Sequence, residues 1–255
     1  MADMADKGPL GRVADFYERL ASEEDRLAAS ALGQLEFART KQLLLRQLPP
    51  APARILDVGG GTGRYAAWLG DLGYEVHLVE PTPLHLAQAR RRSARSAIPF
   101  RVSEGHAGEL PEEDASQEVV LLFGPLYHLK DEADRLQAFS EARRVLVADG
   151  LLAAIAISRF AGLLDSLRHE FVDTDFGEVG YFHDPPSIAN EAERSGFDVL
   201  GIFGVEGPGS LVTDLNERWV DPAQRDAVIE AARLVEQEPS LLGASHHLLL
   251  FARSR

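Results

Sequence analysis

The 255-residue sequence contains no cysteine. This absence excludes disulfides, cysteine-ligated zinc, iron–sulfur clusters and thiol nucleophiles. The sequence also has no run of 18 or more apolar residues, so we expect no membrane span. Its first 20 residues are acidic and lack the apolar stretch of a secretory signal, and we therefore expect a cytoplasmic protein.

Positive charge is scarce, and nearly all of it is arginine. The 26 basic residues face 40 acidic ones, which gives a formal net charge of −14. This balance argues against a nucleic-acid-binding protein, because neutralisation of phosphates dominates that affinity. The arginines at 90–92 and 95 form the best local basic patch, and they are typical of a solvated helix end.

Strand and helix patterns alternate from residue 53 onwards. The predicted strands cover 53–58, 75–80, 98–105, 118–124 and 151–158. The predicted helices cover 62–70, 83–95 and a third segment that Asp131 caps and Gly150 closes. This order predicts a doubly wound α/β fold, a mostly parallel sheet with helices on both faces.

The ends of the sequence depart from this alternation. We predict one domain, 1–255, with a helical lid at 10–48, a cofactor-binding core at 53–158, and insertions at 159–186 and 208–245. The second insertion is interpreted as a lid or as a contact surface of a homodimer. Further helices are predicted at 159–171, 187–195 and 222–238, and further strands at 197–207 and 246–253. The last strand is expected to be antiparallel, because no clear crossover helix precedes it.

The glycine-rich stretch ILDVGGGTGRYAAWLG at 55–70 predicts a tight turn between a strand and a helix that holds a ligand. A nucleoside triphosphate loop needs a lysine, and none lies near. Gly61, Gly63 and Ala66 match the dinucleotide pattern G-x-G-x-x-A, and Glu80 ends the second predicted strand where a ribose ligand is expected. Taken alone, this pattern favours NAD.

Asp57 favours a different cofactor. It lies on the first predicted strand, two residues before Gly59, in the pattern D-x-G-x-G-x-G. A carboxylate in this cleft is unfavourable for a pyrophosphate, because both are negatively charged. It suits a cofactor whose amino-acid end is cationic.

Four segments, in order, resemble the class I S-adenosylmethionine-dependent methyltransferases, in their small-molecule branch. They are DVGGGTGRYA (57–66), VSEGHAGELP (102–111), EVVLLFGPLYHL (118–129) and EARRVLVADGLLAAIAISR (141–159). The resemblance covers roughly residues 50–205. It implies a Rossmann-like, seven-stranded sheet with an antiparallel last strand, and S-adenosyl-L-methionine as the cofactor.

The resemblance also implies a cofactor site. Asp57 should lie near the methionine amino group and Glu80 should accept the ribose hydroxyls, whereas His106 stands where the family usually has an aspartate that contacts the adenine amino group. Ala107 could still offer its backbone N–H to the adenine. The cofactor-binding residues expected in full are Asp57, Gly59, Gly61, Gly63, Glu80, His106, Ala107 and Phe123.

The acceptor side is expected after the fourth and fifth strands and in the insertions. His128 is the first choice for a general base, with Tyr127 beside it, because histidine titrates near neutrality. His183 is the second choice. The residues expected to contact the substrate are Tyr17, Arg159 and Phe160. No cluster has clear metal-ligand spacing, and no metal is predicted.

The sequence thus predicts methyl transfer to an oxygen or nitrogen of a small molecule, without nucleic acid or membrane as partner. One alternative is an NAD-dependent oxidoreductase, although position 131, four residues after Tyr127, is Asp rather than the Lys of a Tyr-x-x-x-Lys pair. A second alternative is a non-catalytic S-adenosylmethionine-binding protein that acts through partners.

Overall fold

The computed structural model describes residue 27, residues 30–168 and residues 180–255, with the side chains of 167 and 168 left out. Most of the predicted helical stretch before residue 30 therefore lies outside the described residues, and so does the middle of the 159–186 insertion. Tyr17 belongs to the first of these segments. No helix in the described ranges is both long and apolar enough to span a membrane.

Seven strands form one sheet in the order β3-β2-β1-β4-β5-β7-β6. The strands are β1 (Arg54–Val58), β2 (Glu75–Glu80), β3 (Arg101–Glu104), β4 (Gln117–Leu122), β5 (Leu146–Ile157), β6 (Phe197–Gly204) and β7 (His247–Ser254). Strands β1 to β5 pair in parallel, whereas β7 is antiparallel to both β5 and β6. The predicted doubly wound fold with an antiparallel last strand is confirmed.

Helices cover both faces of the sheet. They are α1 (Ala31–Gln47), α2 (Arg64–Asp71), α3 (Pro83–Arg95), α4 (Pro125–His128), α5 (Glu132–Val145), α6 (Ala161–Arg168), α7 (Pro185–Arg194), α8 (Leu215–Val220) and α9 (Pro222–Leu234). Successive strand residues point to opposite faces, so Leu56 packs in the core cluster with Phe139 of α5, whereas Ile55 packs with Leu69 of α2. The central strands are apolar because both of their faces are buried.

The predicted end of the α5 helix is wrong. The helix ends at Val145, and β5 begins at Leu146, so Gly150 lies inside the strand. Asp149 there adopts a left-handed φ of 59°, and the pairing of β5 with β4 shifts register between Gln117 and Val119. Asp149 and Gly150 therefore belong to an irregular part of β5 and do not cap the helix.

The described part of the N-terminal helix packs on the 208–245 segment. Ala31 and Leu35 of α1 form a buried cluster with Leu215 of α8 and Val228 of α9. Deeper in this contact, Arg39 is fully buried, with its Nη2 2.5 Å from Glu236 Oε2. The two segments that interrupt the strand–helix alternation therefore support each other, which their separation in sequence does not reveal.

Candidate functional site

A cavity of about 420 Å³ opens at the carboxyl ends of β3, β2, β1 and β4. These four strands are neighbours in the sheet, so the loops that follow them lie side by side, about 4.8 Å apart per strand. Doubly wound sheets bind their ligands at this edge. The lining comes from the β1–α2 loop, the end of β2, residues 106–108, residues 123–129 and the first turn of α5.

The glycine loop between β1 and α2 needs glycine for two reasons. Gly59, Gly61 and Gly63 have φ values of 67°, 55° and 80°, which residues with a Cβ rarely adopt. A Cβ at Gly59 would also lie 2.9 Å from Pro125 Cδ, so the loop packs directly against the chain that follows β4. The turn thereby brings backbone N–H groups to the cavity wall.

Asp57 lies behind this loop and is fully buried. Neither of its carboxylate oxygens has a hydrogen-bond partner among the described residues. Burial, and secondarily the nearby charge of Glu80, raises the pKa of Asp57 from 3.8 to about 7. A buried carboxylate without partners is costly, so this position favours a positively charged group beside the loop.

Glu80 lies at the end of β2, and its side chain is held by backbone N–H groups. Oε2 accepts from Gly61 N at 3.0 Å, and Oε1 accepts from Thr82 N at 2.9 Å. His85 Nδ1 is 3.5 Å from Oε1. Each carboxylate oxygen has a second lone pair, so the oriented carboxylate can still accept from two hydroxyl groups.

The loop after β3 forms the far end of the cavity. Gly108 N donates to His106 Nδ1 at 3.2 Å, so the His106 ring presents its other nitrogen as an N–H donor. Gln137 of α5 donates from Nε2 to Gly108 O at 3.2 Å, which joins the first turns of α5 to this loop. Asp134, one turn earlier on α5, also lines the cavity.

Tyr127 and His128 form the wall beyond β4. They belong to the short helix α4, which the sequence did not predict, and their ring centroids are 4.6 Å apart at an interplanar angle of 57°. Burial lowers the pKa of His128 from 6.5 to about 4; Glu80 opposes this shift and His85 adds to it. The expectation that His128 titrates near neutrality is therefore not met, and the ring is neutral at physiological pH.

Three residues expected on the acceptor side lie away from the cavity. His183 is fully buried, and its Nε2 is 3.1 Å from Glu191 Oε2. Its backbone N–H donates to Ile157 O at the end of β5, and its ring faces Glu191 of α7. Arg159 pairs with Asp184, and Phe160 is exposed. The structure brings none of the three to the cavity.

The cavity brings together most of the sequence-predicted residues, but Asp57 and Gly63 do not line it, and Asp57 lies behind the glycine loop. Those that line it are Gly59, Gly61, Glu80, His106, Ala107, Phe123, Tyr127 and His128. Sequence reasoning missed Tyr65, His85, Leu129, Asp134 and Gln137. Asp134 and Gln137 could have been found from their position on the helix after β4, at the edge of the sheet where ligands bind. The others carry no sequence signal.

A second group of ionisable side chains lies between α1 and β7. Glu36, Glu206 and His247 place three possible ligand atoms within 4.8 Å of one another. Glu206 is fully buried and accepts from Ser245 Oγ at 2.9 Å, and its Oε1 is 2.5 Å from His247 Nδ1. Burial alone would raise the pKa of Glu206, but the His247 charge and hydrogen bonds lower it to about 2. This hydrogen-bonded glutamate–histidine pair joins β7 to the chain after β6.

Fold and cavity together define a Rossmann-like cofactor-binding domain. In the comparison with known proteins, residues 55–150 match the family model described as "Methyltransferase domain". The chain is 28% identical over 157 residues to a demethylmenaquinone methyltransferase of Deinococcus radiodurans, covering 61% of this chain and 63% of that protein. It is 32% identical over 131 residues to the uncharacterised methyltransferase YodH of Bacillus subtilis, covering 51% and 53%.

Solved structures of methyltransferases have a similar fold. A Thermotoga maritima structure, titled as a SAM-dependent methyltransferase and possible histamine N-methyltransferase, superposes with a TM-score of 0.57 at 18% identity, covering 97% of this chain and 98% of that one. The family model, the curated relatives and the solved structures together support a class I S-adenosylmethionine-dependent methyltransferase. The chain's matched segment spans less than two thirds of the length of the two curated relatives.

Proposed function

We propose that this protein binds S-adenosyl-L-methionine in the cavity and transfers its methyl group to an oxygen or nitrogen of a small-molecule acceptor. The observation that carries the proposal is the Asp57 carboxylate, which is fully buried behind the glycine loop and unpartnered within the described ranges. The cofactor supplies an activated methyl group on a cationic sulfur, together with an ammonium, a carboxylate and a ribose.

Residues in and directly behind the cavity wall offer a partner for each of these groups. Asp57 offers a negative charge for the ammonium, directly or through a water molecule. Glu80, held by Gly61 and Thr82, offers both oxygens to the ribose hydroxyls. The N-terminus of α2 offers backbone N–H groups to the carboxylate, as helix N-termini do for anions.

The chain accelerates transfer mainly by alignment and by exclusion of water. Holding two reactants in line supplies on the order of 7–11 kcal/mol in well-oriented systems. Phe123 and Tyr127 contribute apolar surface to the wall beside His128. Neutral His128 accepts a hydrogen bond from the acceptor hydroxyl or amine without repelling a cationic cofactor. A hydroxyl becomes strongly acidic as it is methylated, so even a weakly basic ring can take up its proton.

The size of the cavity, about 420 Å³, is in the range of small-ligand sites and fits the cofactor. A small-molecule acceptor is supported by charge. The net charge of −14 disfavours nucleic-acid substrates. The names of the relatives point to different acceptors, a demethylmenaquinone in one case and histamine in another, so they support the reaction class rather than one substrate.

Isothermal titration tests the cofactor assignment. We expect micromolar binding of S-adenosylhomocysteine and none of NADH; the reverse result would overturn the proposal.

Glu80→Ala should weaken S-adenosylhomocysteine binding by about tenfold to a hundredfold, because hydrogen bonds to a charged group are lost. The matched control is Glu104→Ala, since Glu104 pairs with Glu80 in the sheet register but is exposed and outside the cavity. It should bind normally.

Methyl-labelled S-adenosylmethionine tests the acceptor class. The protein is incubated with a cell extract that has been divided into a low-mass fraction and a macromolecular fraction. We expect label in the low-mass products. Label recovered only in RNA or protein would contradict a small-molecule acceptor and leave the cofactor assignment intact.

A further inference from the structure

The order of the strands fixes how an elongated ligand lies in the cavity. Asp57 is at the β1 end, Glu80 follows β2, and residues 106–108 follow β3. The β3 loop is therefore two strand spacings, about 10 Å, from the glycine loop. A ligand with its ammonium near Asp57 and its hydroxyls at Glu80 places its next group, the nucleobase, beside residues 106–108.

His106 presents a donor at this end, but the adenine amino group needs an acceptor. His106 accepts from Gly108 N through Nδ1, so its other ring nitrogen donates. The backbone N–H of Ala107 also donates. Gln137 uses its amide N–H on Gly108 O and is exposed to solvent. His106 therefore cannot replace an aspartate as the acceptor for an exocyclic amino group.

Asp134 is the strongest hydrogen-bond acceptor among the side chains at this end of the cavity. It lies in the first turn of α5, three residues before Gln137, on the helix that bonds to Gly108. It lines the cavity and is partly buried. Within the part of the chain that the structure describes, it forms no hydrogen bond or ion pair, whereas the other cavity carboxylate, Glu80, has two backbone donors.

We infer that Asp134 accepts a hydrogen bond from the exocyclic amino group of the bound adenine and so selects an adenine nucleoside. The inference rests on the proposed function, because it takes S-adenosylmethionine as the ligand. It assigns a role to a residue outside all four segments that resemble the methyltransferase family. A carboxylate is also a stronger acceptor than the amide of Gln137.

The test compares two ligands that differ at one position. S-Adenosylhomocysteine carries the amino group, and S-inosylhomocysteine carries an oxygen there. Isothermal titration of the wild type should show a preference for the adenine ligand.

Asp134→Ala should weaken S-adenosylhomocysteine binding by about tenfold to a hundredfold, the cost of a lost charge-assisted hydrogen bond, with a much smaller change for the inosine ligand. Asp134→Asn should bind the inosine ligand more tightly than the wild type does, because its amide can donate to the oxygen.

The matched control is Glu132→Ala. Glu132 is in the same helical turn and is acidic, but it is exposed, pairs with Arg194 and does not line the cavity. It should leave both affinities unchanged. The inference about Asp134 is wrong if its variants bind both ligands like the wild type. It is also wrong if the affinities for both ligands fall equally. In either case the proposed function stands, provided that Glu80→Ala loses binding. If the wild type binds neither ligand, the proposed function itself is wrong.

Discussion

The carboxylate of Asp57 lies directly beneath the backbone of Gly60. A Cβ at Gly60 would come within 2.5 Å of Asp57 Oδ2 and within 2.7 Å of Leu78 Cδ1. Gly60, unlike its neighbours Gly59 and Gly61, has no left-handed φ, so close approach rather than conformation requires glycine here. The loop and the buried carboxylate are thus one structural unit. The ionisation of Asp57 should therefore affect both cofactor binding and the stability of the protein.

Cofactor binding should strengthen as the pH rises through 7. The pKa of Asp57 is about 7 in the protein without ligand, whereas a bound ammonium requires the ionised carboxylate. Below pH 7, binding must therefore release a proton, and the affinity should fall by up to about tenfold per pH unit. Isothermal titration of S-adenosylhomocysteine from pH 5.5 to 7.5 measures this slope. Asp57→Asn should bind weakly and without the slope, and a flat wild-type profile would contradict the assignment.

Asp57 should also make the unliganded protein less stable at neutral pH than in mild acid. Its pKa is about 7 in the folded state and 3.8 ordinarily, so the folded state holds the extra proton between about pH 4 and 7. Stability from this group is present below pH 4 and is lost as the pH rises to 7, by at most about 4 kcal/mol. Urea unfolding should find Asp57→Asn more stable than the wild type at pH 8. The difference should shrink at pH 5; a destabilised variant at pH 8 would refute this account.

His128 should contribute to the rate but not to cofactor affinity. Its pKa of about 4 keeps the ring neutral, so kcat at saturating cofactor should show no loss from His128 protonation down to about pH 5. His128→Ala should lower kcat by about a hundredfold, the lower end for acid–base groups, because a weakly basic ring is far from the optimum. His128→Gln, which keeps an acceptor atom, should lose less. Normal turnover of His128→Ala on the acceptor found by labelling would rule out the assignment.

Arg135 is the buried residue that holds the chain after His128. Its Nη1 donates to Leu129 O at 2.9 Å and to Lys130 O at 2.7 Å, and its Nη2 is 2.8 Å from Glu191 Oε1. The guanidinium carbon lies 3.4 Å from the centroid of the Tyr181 ring. One side chain therefore joins α5, α7 and the chain that follows α4.

Removal of Arg135 should be strongly destabilising. Arg135→Ala leaves the Glu191 charge buried without its main partner, which typically costs about 3–5 kcal/mol. Urea unfolding measures the loss. The exposed Arg194–Glu132 pair joins the same two helices and serves as the control, and Arg194→Ala should cost less than about 1 kcal/mol. Equal losses for the two variants would contradict the importance of burial.

Much of the fold follows from local pattern. Strands β1, β2 and β4 and helices α2, α3 and α5 were predictable within a few residues, because buried strands are continuously apolar and the glycine loop marks a strand-to-helix turn. Short elements were not: α4 has four residues, too few for a helical period to be visible. The end of α5 was misplaced because Gly150 was interpreted as a helix terminus, although its neighbour Asp149 adopts the left-handed conformation inside β5.

Some residues of the candidate site were likewise predictable from local sequence, and others were not. The sequence could place Asp57, the glycine loop and Glu80 close together because they lie on β1, on the loop after it and at the end of the neighbouring strand β2, and their roles in cofactor binding stay predictions. His183 was misjudged because its environment is set by Glu191 and by pairing beside β5, both of which arise only when α7 docks on the sheet. Burial likewise changed His128 from a titrating base into a neutral ring.

The sequence by itself determined the class of fold and the kind of cofactor loop, because periodicity, glycine spacing and the acidic strand ends are local properties of the chain. Only the tertiary structure decided which side chains share the cavity. Asp134 lines the cavity because α5, which bonds to the β3 loop through Gln137, packs beside it, and His183 lies away from the cavity because it is buried beside Glu191 of α7. Side-chain surroundings depend on contacts between segments far apart in the chain, and charge states follow those surroundings, so neither can be derived from spacing alone.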